Sequence, residues 1–529
     1  MLFEAGYYGR MALGAMQIAR SKPLDDPPGR LRRQWENRES TFLDTLRRTV
    51  FASPGHPYQE MFRLAGCTLE DFAGMVRKEG LEGALAAVNR AGVYLTHDEM
   101  KGTTGIVRSG RHIPASPASF LNPLEKGLWE GRSGGSRSAG TRTRTSVAVQ
   151  LHREMYEVLV TRELSLQDHV RVHLASILPS SIGISAGLRA RRLGQRLERW
   201  FTVSGGMKDS GHYRAATHLM VALANLAGAG ARFPEYLPKN DFSPVARFLA
   251  QLRAEGNRCL LTTFVSPAVR VAAAAKEKAW DIRGAVFRVG GEALTEAKRA
   301  EIESSGASVF PNYWIHEVGP IGHACGQMRV GNRVHLFQDS VAVIADSRPA
   351  PLSGSKVNAL LFTTLLPCNP RILINACMDD HGVLGRARCN CQFSRIGFTT
   401  TIDGIYSYGK LTGQGMTLAG TGIVALLEQR LPARFGGCAG DYQLVEHEAG
   451  GQTQLTLRIS PRAGPVSADA VREFFLTELR SHYGGSLASR VWRHSGAIQV
   501  EIGEPFMTSN GKVLSLHLVG MEASFQHAS

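Results

Sequence analysis

Residues 284–299 read GAVFRVGGEALTEAKR: a short β-rich apolar run, two adjacent glycines, then a charged segment with helical spacing. Such a pattern predicts a strand that ends on a tight turn and opens a helix. Gly290 and Gly291 carry no side chain, so the turn leaves room for a flat ligand against the backbone. The same residues also describe an ordinary strand-to-helix turn with Glu292 near a helix start, where its charge suits the dipole.

Outward from this turn the pattern repeats. CLLTTFV at 259–265 is a second β-rich run, and the helical patterns TSVAVQLHREMYEVLVTREL at 145–164 and SPVARFLAQLRAEG at 243–256 alternate with such runs up to about residue 310. This alternation predicts βα units and a largely parallel sheet. Residues 30–100 have apolar positions recurring at three and four, as in TFLDTLRRTVF and LEDFAGMVRKEGLEGALAAVNRAG, which predicts a helical entry region. Between 333 and 402 the pieces RVHLF, SVAVIA, ALLFTTLL and RILINA, spaced by turns, predict a β-rich subdomain. Beyond Gly409, YQLVEHE, QTQLTLRIS, the helix SADAVREFFLTELRSHYGG and GAIQVEIGE give β, β, α, β in a small separate unit.

The expected fold class is α/β: a large multi-subdomain domain over 1–410 with parallel-type sheets, comprising a helical region 1–100 and a β-rich part at about 333–409, followed by a small α+β domain over 411–529. A chain of 529 residues with 43% apolar content is long enough for several such units around sizeable cores. Lys and Arg exceed Asp and Glu by 61 to 46, a balance suited to nucleic acid, an acidic membrane surface or a polyanionic small molecule. The stretch GYYGRMALGAMQIARSK is broken by Arg10 and Arg20 and reads as an amphipathic helix packed on the body rather than a signal peptide. No uncharged apolar run reaches the roughly 18 residues of a membrane span, so no membrane partner and a cytoplasmic location are expected.

Three further stretches supply chemistry. WEGRSGGSRSAGTRTRT at 129–145 consists almost wholly of Gly, Ser, Thr and Arg; its amides, hydroxyls and guanidinium groups suit phosphate, and they equally suit a solvated loop. KGTTG at 101–105 resembles a phosphate loop too, but it is shorter and runs straight into Ile106 and Val107. FPNYWIHEVGPIG at 310–322 clusters an aromatic, a His and a carboxylate at a strand end, where Glu317 is a candidate Mg²⁺ ligand.

Taken in order, the Gly/Ser/Thr loop, the Gly-Gly-Glu turn, the Tyr-x-x-x-Glu-x-Gly strand end and TSNGKVL at 508–514 resemble the acyl-adenylate-forming superfamily, and within it the phenylacetate-CoA ligase and acyl-protein synthetase branch. The resemblance covers roughly residues 40–520. It implies that Ser133, Gly134, Gly135, Ser136 and Arg137 cradle ATP phosphates, that Gly290, Gly291 and Glu292 lie beside adenine, and that Tyr313 stacks on the base. Glu317 would ligate Mg²⁺, with His316 standing where many relatives have Thr. Asp380, with Asp379 as its neighbour, would take the ribose hydroxyls; Lys410 would be the hinge and Lys512 the lysine that enters the site during adenylation. The familiar phosphate loop appears here as SGGSRSAGT and the familiar Thr-Gly-Asp as MDD.

Eight cysteines in so long a chain do not make a secreted disulfide framework. Cys325 and His335 flank GQMRVGNRV, and Cys389 and Cys391 form a Cys-x-Cys in RARCNCQF; three thiolates and one imidazole would satisfy a tetrahedral structural Zn²⁺, although the four also read as unrelated residues. The branch named above has members with a similar arrangement. Cys438 in FGGCAGD reads as an idle thiol, His152, His173 and His218 as core or surface residues, and the basic run GLRARRLGQRLERW at 187–200 as a solvated face or a surface meeting the 3′-phosphate of coenzyme A.

The activity implied by the resemblance is ATP-dependent activation of a small carboxylic acid as an acyl-adenylate, then transfer to coenzyme A or an acyl carrier protein's phosphopantetheine. Transfer to an amine or an enzyme-bound nucleophile, and a non-catalytic zinc-containing module of the same fold, are the alternatives. Nucleic acid is not an expected partner, a homodimer is left open, and the identity of the acid is not written in the sequence.

Overall fold

The computed structural model describes the chain except residues 1, 128, 133–141, 179, 204–210, 227, 229, 239, 330, 350–355, 408–411, 414–415, 418–421, 450–451, 481–497, 509 and 520–529. Its centre is a twelve-stranded mixed sheet. Six strands run parallel, in the spatial order Pro234–Tyr236, Leu197–Thr202, Val170–Leu174, Cys259–Phe264, Val286–Gly290 and Ser308–Ile315. Six more continue antiparallel: Gly319–His323, Val334–Leu336, Thr400–Ser407, Ala376–Arg386, Lys356–Thr364 and Val341–Pro349. The expected parallel sheet is therefore half of a larger mixed one, and the expected β-rich region is hydrogen-bonded directly onto it.

The seam is the strand Ser308–Ile315. Residues 308–311 pair parallel with 286–289, and residues 312–315 pair antiparallel with 319–323, with a register shift between Tyr313 and Trp314. RILINA is not a strand; only its last residue, Ala376, enters one, because Arg371 makes an isolated bridge to Leu121 and Asn375 has φ 48°.

Each half has its own core. In the parallel half Val172, Leu261, Phe287, Val289 and Ile302 are buried beneath the helices Ser243–Ala254, Val265–Glu277 and Glu296–Glu303. The antiparallel half buries Phe362, Leu361 and Val343 against the entry helices, whose apolar faces supply Phe42, Phe62, Phe72 and Leu85. The amino-terminal helix Leu2–Arg20 buries Met11, Ala15 and Ile18 on Ile177, Leu188 and Trp200, as its amphipathic pattern predicts. Among the described residues no helix is long and apolar enough to cross a membrane.

Near the carboxyl end a four-stranded sheet has the order Ile498–Ile502, Gln452–Ile459, Tyr442–Ala449, Leu516–Val519, and the helix Ala468–Leu479 packs on it. Its fourth strand, four residues long, is absent from the sequence reading.

Tyr58 ties the entry helices to the antiparallel half: its hydroxyl donates to the carbonyl of Ile374 at 3.0 Å and accepts from the amide of Ile374 at 2.8 Å, with no solvent exposure. Removing that hydroxyl strands a buried amide and a buried carbonyl. Tyr58→Phe should lower unfolding stability by about 1–3 kcal/mol, read as a lower urea midpoint with an unchanged slope.

Candidate active site

A cavity of about 620 Å³ opens where the parallel strands end, lined by residues 173–175, 262–264, 290–293 and 312–317. Carboxyl ends of parallel strands are where ligands bind in open α/β sheets, because the loops there diverge and leave a crevice. Gly290, Gly291, Glu292, Tyr313, His316, Glu317, Asp379, Asp380 and Lys512 all line it. Residues 291 and 512 are thus brought together from opposite ends of the fold.

Lys512 reaches the cavity from the turn before Leu516–Val519. Its ammonium donates to the carbonyl of Gly291 at 3.0 Å and lies 4.5 Å from the centre of the Phe264 ring. Gly291 has φ +75°, and a Cβ there would meet the Phe264 ring at 2.6 Å and the Lys512 nitrogen at 3.0 Å. Both the backbone conformation and the space demand glycine. The same terminal segment is held by Ser176 Oγ, which donates to Asn510 Oδ1 at 2.6 Å, and by the Val513 amide, which donates to Ser266 Oγ at 3.2 Å.

Tyr313 donates to Asp380 Oδ2 at 2.6 Å; burial and then the Asp380 charge push its phenol well above the usual range. Asp379, at φ 59°, lies 3.6 Å from His97 Nδ1. Glu292 departs from expectation. Its carboxylate accepts from the Ser266 amide at 2.6 Å and the Ser266 hydroxyl at 2.9 Å, so it caps the neighbouring helix Val265–Glu277, whereas the helix that follows it, Glu296–Glu303, is capped by Thr295. Its carboxylate thus caps a helix while the residue lines the cavity.

Glu317 is 7% exposed and accepts from Lys101 Nζ at 2.6 Å. Lys101 ends the helix His97–Lys101, which Gly102 closes in the left-handed region, so KGTTG delivers a lysine to the cavity. His97 and Lys101 are among the cavity residues that sequence reasoning passed over, with Arg153, Glu157 and Trp314; for Lys101 the signal was the lysine that opens KGTTG. Ser133, Gly134, Gly135, Ser136, Arg137 and Lys410 lie outside the described residues, but the strands on either side of the loop, Trp129–Arg132 and Arg142–Thr145, pair antiparallel with Arg132 opposite Arg142.

The basic run at 187–200 is only partly a solvated face. Arg196 and Arg199 are exposed, but Arg192 is buried on Glu154 at 2.6 Å and Arg189 lines the cavity. Inside, Glu157 lies 2.8 Å from Arg288, 3.2 Å from Arg171 and 3.9 Å from Arg189. Burial alone pushes the Glu157 carboxyl up, but Arg288, Arg171 and Arg189 together hold it well below the usual carboxylate range. His173 lines the same wall, and burial followed by Arg288 and its neighbours pulls it down to about 3, so it is neutral. Among the other histidines, His152 bonds Asp339 at 2.9 Å.

Cys325, His335, Cys389 and Cys391 converge, with their ligand atoms all within 4.8 Å of one another. His335 Nδ1 is turned to the Phe398 carbonyl at 2.8 Å, which points Nε2 at Cys389 and Cys391, 3.3 Å from each sulfur. The sulfurs lie 3.8 Å (Cys325 to Cys389) and 3.5 Å (Cys389 to Cys391) apart. Zinc–sulfur bonds of ~2.3 Å in a tetrahedron give sulfur–sulfur edges of ~3.8 Å, so the donor set fits that ion. From this cluster a line of rings leads to the cavity: His335 packs on Phe393, Phe393 on Phe337, and Phe337 stacks on Tyr156 at 3.9 Å between centroids, the last two both lining the cavity. Cys438 stands apart, bonded to Asp441, with burial pushing its thiol up.

No family model and no curated protein matches the sequence. Among solved structures, the chain is similar to 2-hydroxyisobutyryl-CoA ligase in the postadenylation state with R3-HIB-AMP, 15% identical over 93% of this chain and 91% of that one, with a TM-score of 0.55. The same ligase with 2-HIB-AMP and CoA in its thioesterification state aligns over the same shares at 15% identity and 0.48. An O-succinylbenzoate coenzyme A synthetase from Bacillus subtilis, in complex with ATP and magnesium ion, aligns at 12% identity over 74% of this chain and 70% of that one, with a score of 0.41. The first of these likenesses establishes the fold, that of an adenylate-forming coenzyme A ligase.

The three arginines depend on one carboxylate. Glu157→Gln leaves them without it and should destabilise the protein by about 3–5 kcal/mol, measured by thermal or urea unfolding. In the wild type this contribution is complete above the unfolded carboxyl value of about 4.3 and is lost as pH falls through the depressed folded value.

Proposed function

We propose that this chain activates a small carboxylic acid with ATP, forming an acyl-adenylate and pyrophosphate, and then passes the acyl group to the thiol of coenzyme A or of a carrier protein's phosphopantetheine, releasing AMP. The observation that carries the reading is the entry of Lys512 into the cavity, onto the carbonyl of Gly291, within a fold that an adenylate-forming ligase shares. A carboxylate does not acylate a thiol at neutral pH because oxide is too poor a leaving group; a mixed anhydride with AMP removes that obstacle.

In the first step a carboxylate oxygen bonds to the α-phosphorus as the bond to the β-phosphate bridge breaks, and the site's task is to hold the two in line while charge builds on phosphate oxygens. Lys512 supplies a positive charge there, with Arg137 and the amides of the 133–137 loop as the further donors. The Gly290–Gly291 turn provides a flat backbone face for adenine, Tyr313 its stacking partner, and Asp380, oriented by the Tyr313 hydroxyl, an acceptor for ribose. His316, next to Glu317 on the cavity wall, would approach the α-phosphate. Glu317, a hard oxygen donor on the cavity wall, is the residue that would hold Mg²⁺, which when bound neutralises phosphate charge. Lys101 is the counter-ion that Glu317 otherwise keeps.

In the second step the thiol sulfur attacks the acyl carbon, its proton is lost and AMP departs. The part of the chain over 411–529 serves as a lid turning about Lys410, so that Lys512 withdraws and a different face meets the acceptor. Cys325, His335, Cys389 and Cys391 would hold a structural Zn²⁺: four protein ligands fill the tetrahedron, so the ion ties Cys325 and His335 to the Cys389–Cys391 turn.

Two outcomes are expected. Lys512→Ala should cut acid-dependent pyrophosphate exchange by orders of magnitude while sparing thiolysis of a supplied acyl-adenylate; equal loss of both steps counts against the two-step lid, and no exchange from the wild-type protein with any acid points to a module that only binds. Elemental analysis of protein purified without chelators should give about one zinc per chain, and a zinc-free preparation of the folded protein defeats the metal assignment.

A further inference from the structure

One arm of the cavity lies between the helices Val147–Glu163 and Ile182–Arg192, on the side of Arg153, Arg189 and Trp314. Every carboxylate lining the cavity has a partner: Glu157 has Arg171 and Arg288, Glu292 has Ser266, Glu317 has Lys101, Asp379 has His97, Asp380 has Tyr313 and Glu428 has Lys298. Arg153 is different. Among the described residues its guanidinium has no carboxylate; it lies 4.4 Å over the ring of Trp314, and its buried Nε has no hydrogen-bond partner. Burial, then the nearby charge of Arg189, pulls it down to about 9, still protonated at neutral pH. Arg189 is held only at 3.9 Å by Glu157, a carboxylate that already serves Arg171 and Arg288.

Three guanidinium groups, Arg171, Arg189 and Arg288, therefore share Glu157 while Arg153 has none, and of the three that line the cavity Arg288 is held at 2.8 Å, which leaves Arg153 and Arg189 with donors to spare. Such a pair, half-buried and mutually repelling, is stabilised when an anion joins it, and a guanidinium fork matches a carboxylate with two parallel hydrogen bonds. The rest of the wall mixes Val160, Ile182 and Ala186 with Ser181 and Ser185, beside a Trp314 that is 37% exposed. The geometry points to an acid substrate with a second anionic group: the reacting carboxylate faces the nucleotide side of the cavity, the carbon body lies along Trp314, and a distal carboxylate is clamped by Arg153 and Arg189. This inference rests on the adenylation reading above and names the substrate class for that same site.

Acid-dependent ATP–pyrophosphate exchange by the full-length protein tests it, using pairs of matched length: hexanoate with adipate, octanoate with suberate, benzoate with terephthalate. At least one diacid should exceed its monoacid in kcat/KM by about 100-fold, the selectivity of a site whose polar groups are otherwise left unpaired. Arg153→Met should collapse that ratio and Arg153→Lys should restore part of it. Preference for the monoacid in every pair overturns the inference and leaves adenylation standing, whether or not the variants fold. An unchanged ratio in folded Arg153→Met also overturns it, and a raised KM for ATP or coenzyme A in its place assigns these cations to phosphate. Exchange with none of the acids removes the adenylation reading and this one with it.

Discussion

The strand Ser308–Ile315 bears the constraint on which the molecule turns. Its first four residues must satisfy a parallel neighbour and its last four an antiparallel one, and parallel and antiparallel ladders space their hydrogen bonds differently. The register shift between Tyr313 and Trp314 falls within the antiparallel ladder, just beyond the last parallel pair at Pro311. Bulged strands twist and re-aim side chains, and the two residues at this shift, with His316 and Glu317 in the turn that follows, are all on the cavity wall. Joining two kinds of sheet and furnishing a site are one event in this chain.

The second dependency is on absence of bulk. Gly290 lies so close to Asn312 that a Cβ would come within 2.3 Å of its side-chain oxygen, and Gly291 has no room beside Phe264. These two contacts let the turn after Val286–Gly290 sit low enough to offer a bare carbonyl to the lysine of the terminal sheet. The small sheet and its helices meet the large sheet at that point, at Ser176 and Ser266, through the buried pairs Lys298–Glu428 and Arg270–Asp441, and through Cys438 and Met507 packed on the core of the parallel half.

Much of this was legible because it is local. A Gly-Gly turn after a β-rich run, a Tyr-x-x-x-Glu strand end and a Cys-x-Cys each declare themselves within a dozen residues; the first two line one cavity and the third joins Cys325 and His335. What failed to be legible depends on distance along the chain. Glu292 caps a helix 26 residues upstream, and Lys101 meets a carboxylate 216 residues away; periodicity near either residue says nothing of the partner. Arg189 sits in a run whose spacing reads as a wet surface, yet the helix carrying it forms one wall of a crevice, so this one arginine is turned inward beside Ser185 and Ala186. The fourth strand of the terminal sheet, Leu516–Val519, is too short for alternation to register and exists only because Tyr442–Ala449 offers it an edge.

The line of rings from His335 through Phe393 and Phe337 to Tyr156 makes the thiol cluster a buttress. Two tilted ring contacts and one face-to-face stack make up that line, and in a close-packed interior none of the rings yields without displacing the next. Whatever clamps those sulfurs also bears on the gap beside Tyr156, so oxidation or loss of one cysteine, deep in the masonry, would be felt as a change of bore in the cavity.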